Sequence, residues 1–242
     1  MRKSLLVLAL CWLSVSVWAS NASPQKLSEV IGHGDLLGAS TLAYFNTNER
    51  ARDERSLTAA YSSLHALEMC MAHLGQPVAQ TQALAQMKLL LAKLELLPAA
   101  QRERYPELLQ QFLTEQQKFR HAAATAYAEV REGSDSIEQM LSAQSHDLAH
   151  LLLDYQIRHY PEVATGRQTL SVAQRETLTA SIEQRFQDLR TSQPEQAEVL
   201  GKINSQYRFI RSQVLSPDGR LQAGVEFYLS RAVLDLQELS AR

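Results

Sequence analysis

From Leu57 onward, apolar residues recur at three- and four-residue steps, Leu57, Ala60, Tyr61, Leu64, Leu67, Met71 and Leu74, and the run ends at Gly75-Gln76-Pro77. That spacing lines one face of an α-helix. Glycine can close such a helix and proline prevents its continuation. The same reasoning predicts a helix from about Val78 to Leu97, stopped by Pro98. The next has Pro106 in its first turn and carries Leu108, Leu109, Phe112, Leu113, Phe119, Ala123 and Tyr127 towards Val130; proline is tolerated there because the amide is unpaired anyway. Gly133-Ser134-Asp135 marks a break, and Asp135 with Glu138 suits a capping box for a helix reaching Ile157. Ser171 and Gln174 suit another, opening a helix to about Leu189. Pro194 opens a helix showing Val199, Ile203, Tyr207, Ile210 and Val214, and Ser216-Pro217-Asp218-Gly219 reads as a turn. The last helix, about Leu221 to Leu239, places Leu221, Val225, Tyr228, Leu229, Ala232 and Leu236 on one side.

No alternating strand pattern interrupts these segments, so the fold class is all-α. Short links between helices imply antiparallel packing. The expected architecture is an elongated up-and-down bundle of six to seven helices, with the loop-like segment 159–170 as the candidate boundary between two packed helical subdomains.

The first 22 residues stand apart from this pattern. Arg2 and Lys3 precede an apolar stretch from Leu5 to Leu13, and Ala19 and Ala22 are small residues of the kind a signal peptidase accepts. The apolar run from Ser4 to Trp18 is shorter than the roughly 18 residues or more expected of a membrane-spanning helix. The expectation is a cleaved signal peptide over residues 1–22 and a helical domain over 23–242, without stable membrane insertion after cleavage. Cleavage removes Trp12, Trp18 and Cys11, leaving Cys70 as the single cysteine. A secreted eukaryotic domain would more often carry paired cysteines, so the bacterial periplasm is the expected compartment.

Loss of Arg2 and Lys3 leaves 22 basic against 26 acidic residues, a net charge of −4 with histidines neutral. The charges are scattered, which disfavours nucleic acid as a partner because phosphate neutralisation needs a concentrated basic face.

Candidate chemistry is sparse. His146, His150 and Asp154 in SHDLAHLLLD are spaced i, i+4, i+8, which aims two imidazoles and a carboxylate along one helix face and could supply metal ligands. The simpler reading puts both histidines on the solvent side of an amphipathic helix. Cys70 shares a face with Leu67, Met71 and Leu74, as a small buried thiol would; an intermolecular disulfide is the functional alternative. In Gly32-His33-Gly34-Asp35-Leu36-Leu37-Gly38 the third glycine comes one residue late for a dinucleotide turn, and no strand precedes it. A flexible glycine-bearing entry into the first helix is expected instead. No haem-attachment motif, P-loop, serine elbow or S-x-x-K is present, so no cofactor and no catalytic activity are expected.

Leu113-Thr114-Glu115-Gln116-Gln117 matches the L-T-x-x-Q motif of the Spy and CpxP class of periplasmic helical chaperones, and Leu170-Ser171-Val172-Ala173-Gln174 is a near match. Over these ten residues the chain resembles that class, and the resemblance implies a cradle-shaped dimer that holds unfolded clients. The expected function is that of an exported, non-enzymatic helical binding protein, an accessory sensor-like bundle in the first place and a chaperone-like or metal-binding bundle in the second. Its partner would be an envelope protein, a small ligand or a second copy of the chain.

Overall fold

The computed structural model describes residues 23–48, 53–133, 136–164, 169–216 and 223–241. The expected signal peptide, Asp135, the Pro217-Asp218-Gly219 turn and Leu221 lie outside them. The described residues form eight α-helices and no strand: α1 (Pro24–Phe45), α2 (Glu54–His73), α3 (Val78–Leu96), α4 (Tyr105–Val130), α5 (Ser136–Arg158), α6 (Val172–Ser192), α7 (Ala197–Leu215) and α8 (Ala223–Ser240). The count is slightly above the six to seven expected, because the glycine-bearing segment is itself helical.

That segment corrects the sequence reading. Gly32, Gly34 and Gly38 are buried within α1 and do not form a flexible entry. They serve close approach. A Cβ at Gly32 would lie 2.4 Å from Nε2 of Gln237 on α8, one at Gly34 would lie 3.1 Å from the Phe119 ring on α4, and one at Gly38 would lie 3.1 Å from Leu153 on α5. Each glycine thus admits a different neighbouring helix. The rest of α1 is apolar nearly all round, with Leu27, Val30, Ile31, Leu36, Leu37, Leu42 and Phe45 at most 3% exposed, as expected of a helix surrounded by others.

Helix α1 packs against α2, α4, α5 and α8, and α3 packs on α4. Helix α5, the second strongly buried one, packs against α1, α6 and α8, while α7 packs on α6 and α8. The contacts therefore group α1–α4 and α5–α8 around the α1·α5 pair. One apolar cluster of buried side chains runs through all eight helices. Segment 159–170 joins α5 to α6, two helices in mutual contact.

Local signals explain several boundaries. Helix α2 opens with the Asp53 carboxylate accepting from Arg55 N at 3.0 Å and closes with Gly75 and Gln76 at φ 73° and 55°. There Gln76 N donates to Met71 O at 2.9 Å, the reach-back bond of a helix closed by left-handed residues. Helix α6 has the expected capping box: Gln174 N donates to Ser171 Oγ and Ser171 N to Gln174 Oε1. The end of α7 is held from outside, because the Arg158 guanidinium on α5 donates to Val214 O at 2.7 Å and Ser216 O at 3.2 Å. A cation there also complements the negative end of the helix dipole.

Candidate functional site

His146, His150 and Asp154 do lie along α5, but they turn to three separate sets of partners and are not on a solvent face. His146 Nε2 lies 3.1 Å from Ser28 O and 3.0 Å from Ser28 Oγ on α1. A carbonyl can only accept, so Nε2 carries the proton. Burial pulls the His146 pKa down to about 4, opposed by the Ser28 hydrogen bond and helped by the charges of Arg120 and Arg185. His150 accepts through Nδ1 from Arg120 Nη1; burial first, then the Arg120 charge, lowers its pKa to about 3. Asp154, 0% exposed, accepts from Arg158 Nε at 2.9 Å and from Leu170 N at 2.6 Å. The three side chains do not converge, and among the described residues no three His, Cys, Asp or Glu groups are placed to hold a metal ion.

Around His150 lies a polar assembly that sequence spacing did not reveal. Asp35 on α1 is completely buried, accepts from Gln116 Nε2 at 2.7 Å, and sits 3.1 Å from Arg120 Nη1 and 3.9 Å from His150 Nδ1. Burial raises its pKa, while Arg120 and Gln116 work against the rise. One helical turn away, Arg185 Nη1 donates to Gln144 Oε1 and to Asp147 Oδ2, both at 2.9 Å. Gln116, Arg120 and His150 border a cavity of about 250 Å³, and His150, Asp147 and Arg185 one of about 450 Å³, between α4, α5 and α6; the two share His150, Leu170 and Gln174. Together they form a cleft in which these charged and amide groups stand among apolar side chains such as Leu113, Leu153 and Leu178.

A second recess, about 470 Å³, lies between α2 and α8 and is mainly apolar. Its walls include Ala59, Phe227 and Leu234, with Phe227 63% and Leu234 41% exposed. Tyr228 stacks edge-on with Phe227 and with Phe209, itself 65% exposed, so an aromatic cluster borders the groove. Glu226 lines the same groove, accepts from Ser56 Oγ at 2.7 Å across the α2–α8 gap, and has its pKa raised by burial.

No protein-family model matches the chain, and no curated protein or solved structure is significantly similar to it. The structure shows how the motif residues are used. Leu113 belongs to the core, Gln116 to the Asp35 assembly, and Gln117 to the cleft wall; Ser171 and Gln174 cap α6.

Cys70 is 5% exposed, and its thiol donates to Glu29 Oε2 at 3.6 Å. Burial, then the nearby Glu29 charge, pushes the thiol pKa up to about 11. A thiol so held is a poor nucleophile, and a disulfide to another chain would require α2 to lift from α1. No described helix is long and apolar enough to cross a membrane.

Proposed function

We propose that the chain is an exported, non-enzymatic binding protein of the bacterial envelope, an accessory sensor-like bundle that holds a partner in the α2/α8 groove. The observation that carries this reading is the groove itself. Phe227 and Leu234 are one i, i+7 step apart on α8 and stay solvent-exposed beside Ala59 of α2. Contiguous exposed apolar surface of this kind marks interaction sites more often than ordinary solvated surface, and an amphipathic helix fits such a groove through residues of the same spacing. Export rests on the features of residues 1–22, and cleavage after Ala22 would leave only Ser23 ahead of α1.

Co-purification from envelope extracts tests the reading. The wild-type chain is expected to retain a defined envelope protein that Phe227→Asp loses while remaining folded. Equal retention by both, or none by either, contradicts it. The aromatic cluster of Phe209, Phe227 and Tyr228 also suits a chaperone role. In that case, stoichiometric amounts would protect a denatured client from aggregation.

A further inference from the structure

The cleft between α4, α5 and α6 contains two arginines held by buried partners, Arg120 lining one recess and Arg185 the other. Asp35 and Gln144, both 0% exposed, anchor Arg120 and Arg185 respectively. Each guanidinium spends only Nη1 on the protein: Arg120 on His150 and Asp35, Arg185 on Gln144 and Asp147. Among the described residues, Nε and Nη2 of both arginines have no partner. That Nε–Nη2 edge is a planar fork matching the two oxygens of a carboxylate. With side chains 29% and 20% exposed, Arg120 and Arg185 remain reachable by a ligand. Their anchors on α5, His150 and Asp147, are three residues apart, a rise of about 4.5 Å along the helix.

We propose that this cleft binds a small dicarboxylate, with one carboxylate on the Nε–Nη2 edge of each arginine. His150 adds a donor, because its Nδ1 lone pair is taken by Arg120 and the neutral ring therefore keeps its proton on Nε2. Gln117 and Gln174 line the cleft and can bond the ligand body, with Leu113 and Leu153 beside them. Asp35 and Asp147 balance the two arginine charges at rest, so recognition depends on the paired forks and not on a positive field. Inorganic phosphate, with one compact charge centre, is expected to engage one fork only. The site is separate from the α2/α8 groove.

Titration calorimetry on the purified chain with malonate, succinate, glutarate and adipate tests this, with acetate, inorganic phosphate and glycerol as comparisons. One dicarboxylate is expected to bind, one per chain, roughly tenfold or more tighter than acetate or phosphate. Arg185→Lys keeps the charge but removes the fork, and should weaken binding by roughly tenfold. Lysine keeps a cation beside Asp147 and, in Arg120→Lys, beside Asp35, so both variants are expected to fold, which thermal melts check. Phe227→Asp should leave binding unchanged, which separates this site from the groove. The proposal is overturned if no dicarboxylate exceeds acetate, if phosphate binds as tightly as the best dicarboxylate, or if folded Arg→Lys variants bind like wild type.

Discussion

Replacing Asp154 by alanine should cost about 3–5 kcal/mol of stability, because it strips the shared counter-charge from two nearly buried cations. Arg158 and Arg175 have side chains only 11% and 7% exposed, and they approach Asp154 Oδ2 at 2.9 and 3.9 Å. The other carboxylate oxygen fixes Leu170 N at 2.6 Å, just before the α6 cap. Arg158 in turn holds the last carbonyls of α7. One carboxylate thus ties α5 to the start of α6 and the end of α7, and its loss unties both. For a domain of this size about 3–5 kcal/mol corresponds to a fall in Tm of roughly 6–20 °C. Circular-dichroism melts of Asp154→Ala check it, with Asp147→Ala as the comparison. The Asp147–Arg185 pair is part-exposed and should be worth about 1 kcal/mol or less. A similar small cost at Asp154 would show that the tie does not carry the packing of α6 and α7.

Acidification from about pH 6 to 4.5 should also destabilise the fold. Burial holds His33 and His146 at pKa values of about 4 and His150 at about 3, all below the ordinary 6.5. In that window the unfolded chain takes up protons that the folded chain refuses, so the unfolding free energy falls as the pH drops. The stability these groups contribute is complete above pH 6.5 and is lost as the pH falls towards 4. Each proton changes the slope by about 1.4 kcal/mol per pH unit, or about 4 for all three together. Asp35 and Glu226 have raised pKa values caused by burial, so they hold protons longer in the folded state and oppose the trend. Below about pH 6, where the unfolded rings are mostly protonated, three histidines outweigh two carboxyls and the net slope is positive. Urea unfolding at several pH values reads it directly, and His146→Asn should reduce the slope by about 1.4 kcal/mol per pH unit whatever its effect on absolute stability. A stability as high at about pH 4.5 as at about pH 6 would contradict the burial of these rings.

Helix ends were legible where one residue type has one mechanical role. Gly75 and Pro77 stop α2, and Ser171 with Gln174 caps α6, because these signals act through bonds within a few residues. The glycine-bearing part of helix α1 was not legible as helix. Gly32, Gly34 and Gly38 lower local helix propensity, and only Gln237, Phe119 and Leu153, far away in sequence, explain why no side chain fits there. Tyr61 and Val199 follow the helical spacing of their neighbours yet are 43% and 42% exposed, since periodicity places a residue near a face without deciding where the covering helix ends. The i, i+4, i+8 spacing of His146, His150 and Asp154 correctly placed them along one helix. It could not show that Ser28, Arg120 and Leu170 approach from three other segments and draw the side chains apart. The Asp35 assembly was equally hidden, because its four members come from α1, α4 and α5 and share no sequence pattern.

The most direct measurement of the central claim, that the chain works by holding a partner in the α2/α8 groove, is photo-cross-linking in living bacteria, in the envelope compartment proposed for it. A photoreactive residue would replace Phe227 or, as a control on another exposed surface, Val172 on α6, which is 60% exposed. The account predicts a discrete adduct from position 227 that disappears with Leu234→Asp, and none from position 172. Equal adducts from both positions, or an adduct at 227 that survives Leu234→Asp, would contradict it.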